Sequence, residues 1–271
     1  INAIAGASMG AVIGGILSMH IDEEGHISRT AIYDLLSVTD RIETLDQLTE
    51  KRDDKTVLAL DRILSVAGPE VHDRLTQGAV RVPFFSQVAE ITSEGVENEI
   101  FLTAGPGKTW ERLSVLMRAS AALKKKFKMD PVEVNRHMLK DDESVAWKST
   151  HATTQKLRSE GISNVIGVPV GFIDGPGAWR LPQKILHMFR PDLRDRGDVV
   201  IEPKTEHGPL NGRDALTNFG KGWLGLWQKF ARTAKDLEDG TRIAIPTKEF
   251  IQAGREQTMA KMPEIDRMLG R

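Results

Sequence analysis

The first eleven residues, Ile1–Ala11, read INAIAGASMGA, and this stretch decides the fold class we expect for the chain. Residues 1–6 form an apolar run typical of a buried strand, and residues 9–19 continue as a helix rich in small side chains. Between them lies a Gly-x-Ser-x-Gly pentapeptide centred on Ser8. A tight strand-to-helix turn leaves no room for side chains beside the serine, so both flanking glycines are expected to be required. The opening therefore predicts a βα unit that presents Ser8 at a sheet edge.

Strand-like and helix-like segments alternate along the rest of the chain, which favours an α/β fold. We expect a single domain over residues 1–271. The segment 124–161 is charged and helix-prone, and we interpret it as a helical insertion or lid rather than as part of the sheet. The remaining predicted strands are 79–91, 98–103, 164–175, 197–203 and 242–246, and the remaining predicted helices are 29–37, 56–67, 109–123, 213–233 and 247–269.

Charge and composition limit the partners that the protein can have. Lysine and arginine number 37 against 38 acidic residues, for a net charge of −1. Nucleic-acid binding depends on basic clusters that neutralise phosphates, so we expect no nucleic-acid partner. The one compact basic cluster, Lys124–Lys128, is typical of a solvated helix end; the alternative is contact with anionic lipid headgroups.

The residue inventory also restricts the chemistry. The chain has no cysteine, which excludes disulfides, thiolate catalysis and cysteine-based zinc sites. His20 and His26 lie near acidic residues but without metal-ligand spacing, so we expect neither a metal nor another cofactor. No apolar run reaches the ~18–20 residues that span a bilayer, so we expect no transmembrane helix. We therefore expect the protein to lie in the cytoplasm or at the periphery of a membrane.

A serine hydroxyl is a weak nucleophile and needs a base within hydrogen-bond reach. Two arrangements are open. In a triad, Asp174 and then His207 follow Ser8 in the chain order of an α/β-hydrolase. In a dyad, the Asp174 carboxylate itself accepts the proton. Asp174 fits either arrangement because it ends an apolar run, residues 164–175, that is typical of a buried parallel strand.

Five segments in order along the chain resemble the patatin-like phospholipase family. The opening resembles that family's nucleophile block, and LMRASAAL (116–123) resembles the helix end that follows its next strand pair. GFIDGPGAWRLP (171–182) resembles the block with the catalytic aspartate. The resemblance extends over most of residues 1–203, and the two other matching segments are VRVPFFSQVAEITSEGVENEIFLTAG (80–105) and RGDVVIEP (196–203).

The resemblance implies a three-layer fold whose central, mostly parallel sheet is flanked by helices. It makes Ser8 the nucleophile, Asp174 its base and the backbone N–H of Met9 an oxyanion donor, with no catalytic role for His207. The implied activity is hydrolysis of phospholipid or lysophospholipid esters through an acyl-Ser8 intermediate. The implied partner is the lipid substrate, with transient contact at a membrane surface; oligomeric state is not implied.

The chain departs from the family pattern in three places. The family's glycine-rich oxyanion loop should precede the nucleophile, but the chain starts at Ile1, so we expect its first strand and that loop to be missing. Pro176 stands where the aspartate block usually has glycine, and 124–161 is longer than the usual link. An inactive lipid-binding module of the same fold is therefore a third interpretation, because losing an oxyanion donor costs about 10²–10³ in rate.

Overall fold

The computed structural model describes residues 1–31, 33–35, 49–95, 97–123, 128–142, 146–169, 195–201, 204–205, 208–209 and 247–271. The chain divides into two compact units. The first comprises residues 1–143 and 234–243, and the second comprises residues 144–233 and 244–271. The division falls inside the segment 124–161.

The first unit is a mixed α/β structure in which strands and helices alternate. It begins with the βα unit that the opening sequence predicts. The elements in chain order are β1 (Ile4–Ala7), α1 (Met9–Met19), β2 (Thr49–Arg52), β3 (Lys55–Leu58), α2 (Leu60–Ala67), α3 (Pro69–Gln77), β4 (Phe84–Ile91), β5 (Glu97–Ala104), α4 (Trp110–Ser120), β6 (Val132–Val134) and β7 (His137–Lys140).

Strand β4 is the centre of a five-stranded sheet. It pairs with β1 in parallel and with β5 and β7 antiparallel, and β6 adds to the outer side of β7. Among the described strands of this sheet, one pairing of four is therefore parallel. The α/β class is confirmed, but the expectation of a mostly parallel sheet is wrong for this part of the chain, because antiparallel hairpins supply the neighbours of β4.

Helices α1 and α4 lie on one face of this sheet and contact each other. A side chain at Gly14 of α1 would collide with Ile4 and Phe84, and a side chain at Gly15 would collide with Met117 of α4. The small residues of α1 therefore let it pack closely against both the sheet and α4. The core between these layers is apolar and fully buried, with Ile16, Phe84, Val88, Leu113, Leu116 and Met117 at its centre.

Several predicted elements are confirmed with nearly the predicted bounds. Helix α1 covers the predicted 9–19, the hairpin β4–β5 falls within 79–104, and α4 covers most of 109–123. Residues 29–31 and 33–35 are helical after Ser28, whose hydroxyl accepts from the Ala31 N–H (3.4 Å), as an N-cap would.

Two segments predicted as helix contain strands instead. Residues 55–58 form β3, paired with β2, and the helix begins only at Leu60. Residues 132–140 form the hairpin β6–β7, which belongs to the sheet, so a helical insertion is wrong there; 146–159 is helical as expected. Both hairpins close on two-residue turns with positive φ, Asp53–Asp54 (50°, 61°) and Asn135–Arg136 (52°, 70°). Such turns fit the twist of antiparallel strands.

The second unit contains α5 (Ala146–Ser159), the parallel pair β8 (Ile166–Gly167) and β9 (Val199–Val200), the pair β10 (Lys204–Thr205) and β11 (Gly208–Pro209), and α6 (Thr247–Met268). The predicted strands 164–175 and 197–203 contain β8 and β9 where they are described, and these two strands pair in parallel. Helix α6 matches the predicted 247–269 and packs Ile265 against β9. Asp198 accepts from the Val165 N–H (2.8 Å) and from Arg158 (2.9 Å), which joins α5 to the strand pair.

Candidate active site at the Ser8 turn

Ser8 lies between β1 and α1 with a backbone conformation that non-glycine residues rarely adopt. Its φ is 54° and its ψ is −130°. In this region the Cβ crowds the neighbouring carbonyl groups, at a cost of about 1–3 kcal/mol that surrounding contacts must offset. A nucleophilic serine at a sharp strand-to-helix turn is held in this strained way, with its hydroxyl outside the sheet edge. The turn predicted from the sequence is therefore present.

The two glycines of the Ser8 turn, which we define as residues 6–10, are not equivalent. A Cβ on Gly6 would lie 2.5 Å from the carbonyl oxygen of Gly10 and 2.7 Å from the Cα of Ala11, so no side chain fits there. A Cβ on Gly10 would have no atom within 4 Å among the described residues. The expectation that both glycines are sterically required is confirmed for Gly6 and wrong for Gly10, because only Gly6 lies between the strand and its helix.

Ser120, at the end of α4, holds the Ser8 backbone in place. The Ser8 N–H donates to Ser120 Oγ (2.9 Å), and the Ser120 hydroxyl donates to the Gln87 carbonyl oxygen (2.6 Å). Ser120 is fully buried, and its bond to the Gln87 carbonyl is shielded from water. Strand β4, helix α4 and the Ser8 turn are thus joined through one hydroxyl. The match of LMRASAAL predicted the helix end but not this role for its serine.

The first turn of α1 supplies backbone donors beside Ser8. The Ser8 carbonyl accepts from the N–H groups of Ala11 (2.9 Å) and Val12 (3.4 Å). The N–H groups of Met9 and Gly10 have no acceptor among the described residues, as is normal for the start of a helix. Helix N-termini carry partial positive charge, so these donors favour an anion near Ser8. Met9, predicted as the oxyanion donor, is in a position to act as one.

Arg118 fixes the helix that carries Ser120. It is buried, and it donates to the Leu58 carbonyl (3.2 Å) and to the Asp61 carboxylate (2.8 Å). Trp110 Nε1 also donates to Asp61 (3.0 Å). Burial alone would raise the pKa of Asp61, but these hydrogen bonds and the Arg118 charge outweigh burial and lower it below its ordinary value. The arginine and the serine of the same short segment therefore stabilise the site by different contacts.

The predicted base lies outside the described residues. This applies to Asp174 and to His207, and also to the predicted helix 213–233 and strand 242–246. The structure instead brings a different acidic residue to the end of the sheet where Ser8 lies. Asp141 follows β7, is 5% exposed, and donates its N–H to the Ala122 carbonyl (3.2 Å) just beyond Ser120. Sequence reasoning assigned this residue to a helical insertion and so missed it.

The cluster around His20 does not form a metal site. His20 Nε2 lies 3.2 Å from Asp34 Oδ2, and Arg74 donates to both oxygens of the same carboxylate (2.9 and 2.6 Å). Burial lowers the pKa of His20, the nearby Asp34 charge opposes that shift, and Arg74 adds to it. Across the described ranges, no group of three or more potential ligands could hold a metal ion.

Comparison with known proteins found no matching family model, no similar curated protein and no similar solved structure. The resemblance to patatin-like phospholipases is therefore carried by the ordered motifs alone. Within the part of the chain that the structure describes, no helix combines the length and the apolar character needed to cross a membrane.

Proposed function

We propose that this protein is a serine hydrolase that cleaves carboxylic esters of lipids, of the phospholipase A or lysophospholipase type, through an acyl-Ser8 intermediate. The observation that carries the proposal is the conformation of Ser8, φ 54° and ψ −130°, at a strand-to-helix turn. A glycine would adopt this conformation without strain. A serine at such a position stores backbone strain, and the position of a nucleophile at a strand-to-helix turn explains why that strain is kept.

The surroundings of Ser8 support this chemistry. Attack of Ser8 Oγ on an ester carbonyl places negative charge on the carbonyl oxygen, and N–H groups at a helix start stabilise such an oxyanion. The Met9 N–H is the donor we assign. The Ser8 N–H is already donated to Ser120 (2.9 Å), so it holds the turn and is not an oxyanion donor in this geometry.

The lipid class of the substrate follows from the resemblance to patatin-like phospholipases. An exposed apolar pair beside Ser8 agrees with it, since Met9 and Ile13 are 44% and 42% exposed and lie one turn apart on α1. Side chains of this kind suit an acyl chain. We place the reaction in the cytoplasm or at the surface of a membrane. The same resemblance assigns the base to Asp174 and excludes a metal or another cofactor from the mechanism.

The test is labelling of the full chain by a fluorophosphonate probe together with hydrolysis of a short-chain ester and of a lysophospholipid. We expect Ser8→Ala to abolish labelling and to lower hydrolysis at least about 10⁴-fold, since the nucleophile is lost. Ser65→Ala is the matched control because Ser65 is exposed and its hydroxyl bonds only to the Asp61 carbonyl (2.7 Å) among the described residues. Labelling that persists in Ser8→Ala would rule out the proposal.

A further inference from the structure

Two strands meet end to end on one edge of β4. Strand β5 pairs with β4 along its whole length, from Phe84 to Ile91, and so occupies one edge completely. Strands β1 and β7 must both lie on the other edge. There, β1 pairs with the first half of β4, residues 84–87, and β7 pairs with residues 89–91.

The strand directions bring the two carboxyl ends together. Strand β1 runs parallel to β4 and ends with Ala7 opposite Gln87. Strand β7 runs antiparallel and ends with Lys140 opposite Ala89. Gln87 and Ala89 are two residues apart, so the strand ends are separated by about 7 Å along the edge. The next residue of each strand, Ser8 in one case and Asp141 in the other, leaves the sheet at this point.

The end of α4 and the residues just after it bind the backbones of both Ser8 and Asp141. Ser120 Oγ accepts the Ser8 N–H at 2.9 Å, and the Ala122 carbonyl accepts the Asp141 N–H at 3.2 Å. Ser120 and Ala122 are two residues apart and both buried. The end of α4 thus fixes the backbones of the serine and the aspartate side by side.

The two carboxylates that follow β7 differ in their surroundings. Asp141 is 5% exposed, whereas Asp142 is half-buried and accepts a hydrogen bond from Gln87 Nε2 (3.1 Å). A buried carboxylate is stabilised by hydrogen-bond donors, and a serine hydroxyl is a donor. Asp141 also directly follows Lys140, the last paired residue of β7, so of the two carboxylates it is the better match for Ser8.

We propose that the Asp141 carboxylate is the general base that activates Ser8. This inference rests on the proposed hydrolase function and gives Asp141 the role that the resemblance assigns to Asp174. Asp141 takes the proton from Ser8 Oγ as Oγ bonds to the ester carbonyl carbon. The bond from that carbon to the alcohol oxygen then breaks, and Asp141 returns the proton to the departing alcohol.

Hydrolysis of the acyl-enzyme repeats the same proton transfers. Asp141 takes a proton from water as the water oxygen bonds to the acyl carbon, and it returns that proton to Ser8 Oγ as the acid leaves. One ester and one water become one alcohol and one acid. No other reactant is needed.

The first test measures the pairing without requiring any enzyme activity. The chain has no cysteine, so Ser8→Cys introduces a single thiol whose pKa is read from its rate of alkylation against pH. A carboxylate within about 4–6 Å raises that pKa, since it disfavours the thiolate. We expect added Asp141→Asn to lower the thiol pKa by at least about 1 unit, and added Asp142→Asn to change it by less than about 0.3 units.

An unchanged thiol pKa in the Asp141→Asn background would overturn the proposal. Should Asp141→Asn fail to fold, Asp141→Ser takes its place, and an unchanged thiol pKa in that background would overturn the proposal in the same way.

The second test follows ester hydrolysis and fluorophosphonate labelling of the full chain. We expect Asp141→Asn to lower both by about 10³-fold, as loss of a general base does, and the neighbouring control Asp142→Asn to stay within about threefold. If Asp174→Asn lowered hydrolysis and labelling by a comparable factor while Asp141→Asn stayed active, the proposal would be overturned and the general base would be Asp174. A wild-type protein with neither activity would overturn the hydrolase function and the base role together, while the thiol measurement would still report whether the two residues are paired.

Discussion

The Ser8 turn and the Asp53–Asp54 turn both place non-glycine residues at positive φ, and they do so for different reasons. In the Asp53–Asp54 turn both residues are exposed, and the turn closes a two-stranded hairpin through the pair Arg52 and Lys55. Ser8 has a similar φ but is half-buried between the central sheet and α1, and its N–H is bonded to a side chain 112 positions away.

The difference separates local chemistry from tertiary constraint. Aspartate tolerates positive φ, and a two-residue loop requires it at both positions, so the Asp53–Asp54 turn follows from a short stretch of chain. At Ser8 no local rule favours the conformation, and contacts from β4 and α4 must offset its strain. Changes at the Ser8 turn should therefore cost stability and activity together, whereas changes at the Asp53–Asp54 turn should affect stability alone.

The largest effect is expected at Gly6. Gly6→Ala puts a methyl group 2.5 Å from the Gly10 carbonyl oxygen and 2.7 Å from the Ala11 Cα, which forces α1 away from β1. We expect a loss of about 3 kcal/mol or more in the free energy of unfolding, measured by urea titration. The paired variant Gly10→Ala meets open space in a helix and should be neutral or stabilising by up to about 1 kcal/mol. Equal destabilisation by both variants would contradict this picture of the turn.

Ser120→Ala should produce the next largest effect. It removes one acceptor and one donor and leaves the Ser8 N–H and the Gln87 carbonyl without this partner. We expect a loss of about 2 kcal/mol in unfolding free energy. Fluorophosphonate labelling should also slow, because the turn is less firmly held. Ser18→Ala is a suitable control, since Ser18 is buried and donates to a carbonyl of its own helix, Gly15 (2.6 Å). A labelling rate lowered equally by both variants would exclude a specific role for Ser120.

A smaller effect is expected when the strain at Ser8 is released. Both Ser8→Gly and Ser8→Ala remove the hydroxyl, but only glycine adopts φ 54° and ψ −130° without a Cβ clash. We expect the free energy of unfolding of Ser8→Gly to exceed that of Ser8→Ala by about 1 kcal/mol. The measurement compares the midpoints of urea titrations whose m values are equal. Equal stability of the two variants would mean that the turn stores no strain.

The smallest effect is expected at the Asp53–Asp54 turn. Asp54 has φ 61° and is exposed, and glycine is the favoured residue at the second position of such a loop. We expect Asp54→Gly to stabilise the protein by about 0.5 kcal/mol and to leave labelling at Ser8 unchanged. A change in the labelling rate would show that the two turns are coupled.

Much of the fold of the first unit could be predicted from the sequence because the signals are local. The apolar run before a glycine-flanked serine predicted β1 and α1, and the turn residues after Ile91 predicted the hairpin β4–β5. Local signals gave the wrong element where a helical pattern competed with strand pairing across a tight turn. Residues 56–58 have helical spacing, and 132–140 lie in charged surroundings, but pairing across two-residue turns made both segments strands.

The sequence by itself determined that a serine stands between β1 and α1, since strand, turn and helix patterns are each written in consecutive residues. It could not determine which groups surround that serine. Ser120, at the end of α4, accepts the Ser8 N–H, and the register of β1, β7 and β4 brings Asp141 to the same end of the sheet. These contacts join residues far apart in the chain. Periodicity reports only which face of an element is apolar, whereas the neighbours of a strand end depend on which edge each strand joins.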